Sequence, residues 1–345
     1  MKYTTLPNSD IKISKICLGT MTFGQQNTEA DGHVQMDYAL EKGINFFDTA
    51  EMYSVPGRKE TYGSTEKIIG TWFNKSGKRE DVILASKIAG PNPGLSYIRE
   101  NMDFSPASIT LSLEKSLTRL QTDYIDLYQL HWPERKANFF GQRGFKVQHD
   151  AWEDNVHSVL ETLEGLIKQG KINHIGLSNE TPWGIMRFLE ESKYQNLPRI
   201  KTIQNPYSLL NRLFENGSAE ICARENVGLL AYSPMAFGVL SGKFLSGESH
   251  PDARIKLFPQ FARYNSAQCT EASRLYQEIA HKNGLTLTEM ALTFVTQQVF
   301  VTSTIIGATT MEQLKENIAT IDVVLSDEIL KEIEAVQAAI PDPAP

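Results

Sequence analysis

The chain reads as an α/β protein, a (β/α)8 TIM barrel preceded by an N-terminal β-hairpin and closed by a C-terminal helix. Three observations predict this. Eight short apolar runs recur along the 345 residues. Most are too apolar to leave one face in water, as parallel strands covered on both sides require. Longer stretches with helix signals lie between them, and that alternation builds βα barrels.

The elements follow in order. TTL and IKIS around PNSD read as the hairpin. The strand candidates are KICLG (15–19), INFFD (44–48), VILASK (82–87), YIDLYQLH (124–131), INHIGLS (172–178), IKTIQN (200–205), VGLLAYS (227–233) and STIIGA (303–308). Ser105-Pro106 opens a helix with an N-cap and a first-turn proline, and Leu113, Leu117 and Leu120 fall on one face. Thr181-Pro182 opens another. Thr286 with Glu289, and Thr310 with Gln313, have capping-box spacing. SDEILKEIEAVQ (326–337) is the amphipathic final helix. An open doubly wound sheet is the rival fold. It usually carries a glycine-rich turn after its first strand, and LGTMTFGQQ lacks GxGxxG. The expectation is one domain over 1–345 with long loops at 133–155 and 241–266. Loops of that length in a compact domain are often functional.

A net charge of −7 argues against nucleic-acid binding, which favours a basic surface. Cys17, Cys222 and Cys269 are scattered, without the CxxC or Cys/His spacing of a metal site, and read as free thiols of a reducing cytoplasm. The N-terminal stretch lacks a signal-peptide h-region, and no apolar run approaches membrane-spanning length.

Active sites of such barrels lie at the C-terminal ends of the strands. Those ends carry Asp48 with Tyr53 in the following loop, Lys87, His131, Ser178 and Asn179, Gln204 and Asn205, Tyr232 and Ser233, then Gly307 and Thr309. Singly, Asp48 reads as a helix cap, Lys87 as a surface charge, His131 as a packed ring and Tyr53 as nothing in particular. Together they form a ring with coherent chemistry. A phenol ordinarily titrates near pH 10, and a neighbouring ammonium stabilises its anion. Asp48 would hold Lys87, and His131 would orient a carbonyl oxygen. The set suits protonation of that oxygen as a cofactor delivers hydride to the adjacent carbon.

These residues sit in segments that resemble the aldo-keto reductase superfamily, over about 3–335. FFDTAEMYS with YGSTEKIIG resembles its first signature; ILASK and YQLHWP supply the lysine and histidine. GLSNE, IQNPYSLLNR, AYSPMAFGVLSGKF and IIGATTMEQLKEN follow in the family's order. GTMTFGQQN paired with AEMY resembles the bacterial Tas-like group, related to potassium-channel β subunits. The resemblance implies Tyr53 as general acid, Lys87 and Asp48 tuning it, and His131 orienting a small-molecule carbonyl substrate. It implies NADPH across the barrel mouth, with Asp48 also beside it, and neither a metal nor a membrane partner. Ser178, Asn179 and Gln204 would hold the carboxamide, Tyr232 would stack on the nicotinamide, and Thr20 and Met21 would lie by its ribose. Ser233, Pro234, Met235, Phe237 and Lys243 would line the pyrophosphate groove. Arg254, with Lys256 or Arg263 as alternatives, would meet the 2′-phosphate with Thr309 and Gln313. Glu316 and Asn317 would face the adenine. Gly307 stands where many members carry a basic residue. Glu66 reads as structural. The stretch SVPGRKETY and the insertion after His131 would wall the substrate pocket.

Two other functions compete. A nicotinamide-binding redox sensor would bind cofactor tightly with little turnover. A Schiff-base aldolase would need Lys87 at lowered pKa, which Asp48 opposes.

Overall fold

The computed structural model describes residues 1–147, 149–258 and 263–345. Residues 148 and 259–262, inside the two long loops expected from the sequence, lie outside the described residues.

Tyr3–Thr5 (β1) and Lys12–Ser14 (β2) pair antiparallel, Tyr3 opposite Ser14 and Thr5 opposite Lys12, so the expected hairpin forms. The barrel strands are Ile16–Gly19 (β3), Phe46–Asp48 (β4), Ile83–Ile88 (β5), Ile125–Leu130 (β6), Ile172–Ser178 (β7), Thr202–Pro206 (β8), Gly228–Tyr232 (β9) and Val301–Ile306 (β10). All pair parallel in chain order, and β10 closes on β3. Every expected run yields its strand, with ends moved by at most two residues. The barrel is plugged from its N-terminal end by the hairpin. Leu6 and Ile13 pack with Cys17, Phe46, Ala85, Leu127, Leu230 and Ile305 in the interior.

The outer ring begins with Glu29–Glu41 (α1), Ser64–Ser76 (α2), Pro106–Leu120 (α3), Val156–Lys168 (α4), Pro182–Gln195 (α5) and Ser218–Glu225 (α6). Arg254–Leu257 (α7), Ala267–Lys282 (α8), Leu287–Gln297 (α9), Met311–Ala319 (α10) and Asp327–Ala339 (α11) complete it. In α3 the Ser105 hydroxyl accepts from the Ser108 N–H, Pro106 occupies the first turn, and Gln121 stops the helix in the left-handed region. Its Ile109, Leu113, Leu117 and Leu120 are buried in the core between helices and strands. α5 repeats the design, with Thr181 capping and Asn196 left-handed at the stop. α2 crosses α3 closely at Gly70, where an added Cβ would lie 2.2 Å from the Arg119 carbonyl oxygen.

Two local expectations need correction. Thr310 caps α10 through the Gln313 N–H, but the reciprocal half of the box is missing. The Gln313 side chain reaches one residue further back, its Oε1 accepting from the Thr309 N–H at 2.9 Å and hydroxyl at 3.1 Å. The true second capping box is at Thr28 and Asp31, where Asp replaces the usual Glu or Gln. The loop at 241–266 is not wholly irregular: it contains α7 and a 3-10 turn at Lys243–Leu245.

Candidate active site

β4 ends at Asp48, and its next residues turn across the barrel mouth. The main chain fastens this loop to β5: the Thr49 N–H donates to Ala85 O and the Glu51 N–H to Lys87 O. Tyr53 is carried to a buried position beside Lys87, the penultimate residue of β5, with 0% exposure. Lys87 Nζ donates to Asp48 Oδ2 at 2.6 Å and to the Thr49 carbonyl at 2.8 Å, and lies 5.0 Å from the centre of the Tyr53 ring. The buried ammonium is thus paired with a carboxylate and hydrogen-bonded to a carbonyl, as a buried charge needs. The other Asp48 oxygen accepts from Gln204 Nε2 at 2.8 Å and Gln129 Nε2 at 3.4 Å.

The electrostatics of this relay follow from burial. Burial pulls Lys87 down, but Asp48 and Tyr53 outweigh it and leave the ammonium above its usual value. Burial raises the Tyr53 phenol; Lys87 and Arg254 pull the other way and Asp48 adds to the rise. The net direction is upward. The sequence-level expectation that the lysine sets the phenol pKa thus holds for the sign of its pull but not for the balance, because desolvation is the larger effect. Tyr53 stays protonated at neutral pH, the form a proton donor must have. Burial and then Lys87 push His131 well below the ordinary imidazole value, so it is neutral. Its ring meets Tyr53 edge-on with centroids 5.8 Å apart, and its buried Nδ1 has no hydrogen-bond partner.

The structure places the other expected catalytic and cofactor residues on one cleft of about 820 Å³ at the C-terminal mouth of the barrel, while Asn205 of the strand-end ring turns away and donates from Nδ2 to Glu180 O at 3.0 Å. Lys87 lies beneath its surface. Tyr232, at the end of β9, donates to Asn179 Oδ1 at 2.5 Å, and Asn179 Nδ2 donates to the His131 carbonyl at 2.8 Å. The Asn179 amide therefore ties the stacking candidate to the histidine. Ser178 Oγ donates to Gln204 O at 2.9 Å, and Thr20 Oγ1 to Asp48 O at 2.8 Å. After β9, Ser233, Ala236 and Phe237 all adopt positive φ, uncommon for such residues. With Pro234, Met235 and Gly238 they curl the chain along the cleft toward Lys243. Gly307, Thr309, Gln313, Glu316 and Asn317 form the far end, where Asn317 Nδ2 donates to Gly307 O at 3.3 Å.

Arg254 supplies the cleft's most informative charge. Burial lowers it to about 10. Its guanidinium donates to Gln26 Oε1 through Nε and Nη2, both at 3.1 Å, and contacts Met21 Sδ at 3.7 Å. Among the described residues it makes no ion pair with a carboxylate. A desolvated cation served only by neutral groups fits an anionic ligand such as a dinucleotide phosphate. Of the two alternatives named for it, Arg263 lines the cleft and Lys256 does not. Burial and then Arg254 lower Lys243 as well.

The remaining wall is Met52, Val55, Pro56, Leu95, Trp132 and Phe140, an apolar face over Tyr53 and His131. Val55 and Pro56 come from the stretch after Tyr53, and Trp132 and Phe140 from the segment after His131, as expected; Met52, just before Tyr53, and Leu95, from the loop between β5 and α3, were not expected there. Glu66 is structural: it accepts from Ser86 Oγ and Arg119 Nε, both at 2.7 Å. Sequence reading missed Gln129 and Gln26. A lone Gln inside the apolar run YIDLYQLH was a usable signal for the first; nothing local marked the second. Among the described residues, no group of His, Cys, Asp or Glu is gathered that could hold a metal ion, and no helix is long and apolar enough to cross a membrane.

Comparison with known proteins agrees with this geometry. Residues 15–338 match the model of the Aldo/keto reductase family. The chain is 49% identical to Protein tas of Escherichia coli (strain K12), over the full length of both. It is 34% identical to the uncharacterized oxidoreductase YrpG of Bacillus subtilis (strain 168), covering 96% of this chain and 94% of the relative. Norsolorinic acid reductase stcV of Emericella nidulans is 30% identical, covering 95% of this chain and 79% of the relative.

Proposed function

The chain belongs to the aldo/keto reductase family, and from that premise we propose that Tyr53 protonates the carbonyl oxygen of an aldehyde or ketone in an NADPH-dependent reduction. NADPH, when bound, supplies the hydride. The observation that carries the reading is the buried relay Tyr53–Lys87–Asp48, opening onto the same cleft as neutral His131. Lys87 faces the phenol and stabilises the phenolate left when the proton departs. Asp48 and the Thr49 carbonyl hold that ammonium in place. Neutral His131 can donate an N–H to the substrate oxygen and aim it at Tyr53.

The cofactor contacts are part of the same proposal. Ser178, Asn179 and Gln204 hold the carboxamide, Tyr232 stacks on the ring, and Thr20 and Met21 flank the ribose. Ser233, Pro234, Met235, Phe237 and Lys243 line the pyrophosphate. Arg254 with Thr309 and Gln313 takes the 2′-phosphate, and Glu316 and Asn317 the adenine. The uncharged wall at Leu95, Trp132 and Phe140 suits apolar carbonyl substrates. One domain carries all of these parts. Three buried unpaired thiols support a cytoplasmic setting; recovery in a secreted fraction of the native host would count against it.

Tyr53→Phe tests the assignment. Loss of a general acid costs about 10²- to 10⁴-fold in turnover, with NADPH binding retained. Full turnover in this variant refutes the role, and wild-type binding of NADPH without turnover on any carbonyl moves the reading to a cofactor sensor.

A further inference from the structure

A second ion pair lies just behind the site and outside its cleft. Glu51 precedes Tyr53 by two residues, and its side chain is 1% exposed; that of its partner Arg99 is 3% exposed. Neither lines the cleft. Glu51 Oε1 accepts from Arg99 Nη1 at 2.5 Å and from the Ala89 N–H at 2.6 Å. Arg99 Nη2 donates to the Ala89 carbonyl. Glu51 Oε2 accepts from Ser112 Oγ at 2.7 Å, which in turn accepts from the Tyr128 hydroxyl at 3.0 Å.

The topology of these bonds is informative. Glu51 and Tyr53 share one loop, whereas Ala89 follows Lys87 by two residues on the outgoing end of β5. The carboxylate and guanidinium thus clasp the chain segment carrying the proton donor to the segment carrying the ammonium. Ser112 adds an anchor on α3. A buried ion pair is weak evidence for stability, because an apolar replacement is often as stable. Its bonds, however, fix two backbones with directional geometry that an apolar pair would lack.

We propose that the Glu51–Arg99 pair is a positioning device that sets the contact between the Tyr53 hydroxyl and the Lys87 ammonium. The inference rests on the general-acid reading of Tyr53. The charged and titratable groups facing Tyr53 are Lys87, Asp48, Arg254, His131 and Tyr232. If the clasp loosens, Tyr53 moves away from Lys87 and loses part of the ammonium's downward pull. Its phenol then titrates higher.

The test uses Glu51→Gln and Arg99→Lys in the full chain. The lysine variant keeps the charge but loses the fork that reaches Glu51 and Ala89 together, and it serves if the first fails to fold. Folding is checked by circular dichroism and NADPH titration. In a folded variant, kcat falls by about 10- to 100-fold, as displaced reacting groups produce. NADPH affinity is unchanged, and the alkaline limb of the kcat–pH profile moves to higher pH. A loss of folded fraction would scale the profile without moving the limb. Combined with Tyr53→Phe, either variant produces no further loss. Wild-type kcat with an unmoved limb, losses that multiply in the Tyr53→Phe background, or failure of both variants to fold each overturn the positioning role. Full activity of Tyr53→Phe alone overturns the general-acid reading itself, and the inference with it.

Discussion

His131 shows how one residue couples chemistry to stability. Burial holds its imidazole neutral, well below the ordinary value. In the unfolded chain the same ring titrates near pH 6.5. Above that pH both states carry it neutral and it contributes nothing to the pH dependence. As pH falls below 6.5, the unfolded state takes up the proton first and stability drops. His131→Gln should therefore flatten the decline of the melting temperature between pH 7 and 5, read by thermal scans of both proteins. An equally steep decline in the variant would mean other groups dominate. At this scale the sequence was readable where chemistry coincides with a strand end, as at Asp48, Lys87 and His131. It was unreadable for Gln26 and the Glu51–Arg99 pair. Their roles depend on partners far along the chain, such as Ala89 and Ser112 for Glu51, and local pattern does not say which residues meet.

Among the elements, the insertion after β6 is held by Arg135. Its guanidinium makes a bidentate pair with Glu180, at 2.9 and 2.5 Å, donates to Thr181 Oγ1 at 2.9 Å, and lies over the Trp183 ring. Glu180 is 4% exposed in its side chain. Arg135→Ala strips a buried carboxylate of its counter-charge, which typically costs about 3–5 kcal/mol. The expected result is a lower denaturant midpoint and a raised KM for carbonyl substrate, because the same insertion carries Phe140 into the wall. A KM unchanged in the folded variant would show that the insertion keeps its shape without the clamp. The sequence marked the insertion's length and place but not this bond. Cap chemistry was more legible, as Ser105, Thr181 and Thr286 all cap as expected. Thr310 was half misread, because Gln313 found a better acceptor role with Thr309 than with its own cap residue.

For the molecule as a whole, the two ends of the barrel divide the labour. The C-terminal mouth holds the titratable groups, while the opposite end is sealed by Leu6 and Ile13 from the hairpin. Leu6 is 1% exposed, and Leu6→Ala should cost about 2–5 kcal/mol. Turnover at a temperature where the variant stays folded should match the parent. A large loss of kcat there would mean that the plug transmits strain to the site. Eight apolar runs were enough to read the closed barrel, since most of their residues are buried on both faces and so announce themselves. The hairpin's role as a plug was not readable, because alternation marks a strand without saying which cavity its side chains enter.

Arg254 and Lys243 line a concave cleft, each partly buried, in a molecule whose overall charge is −7. Seen from afar, such a protein repels a dinucleotide phosphate; seen from the cleft, it attracts one, because low-dielectric walls concentrate the field of the two cations. The rate of capture is then governed by two competing ranges. Added salt screens the distant repulsion over a Debye length of about 8 Å at 0.15 M, while the partly buried cations of the cleft are screened less. Stopped-flow association of NADPH should for that reason quicken or hold steady as salt rises from low ionic strength, rather than collapse as it would for a binder steered by surface lysines.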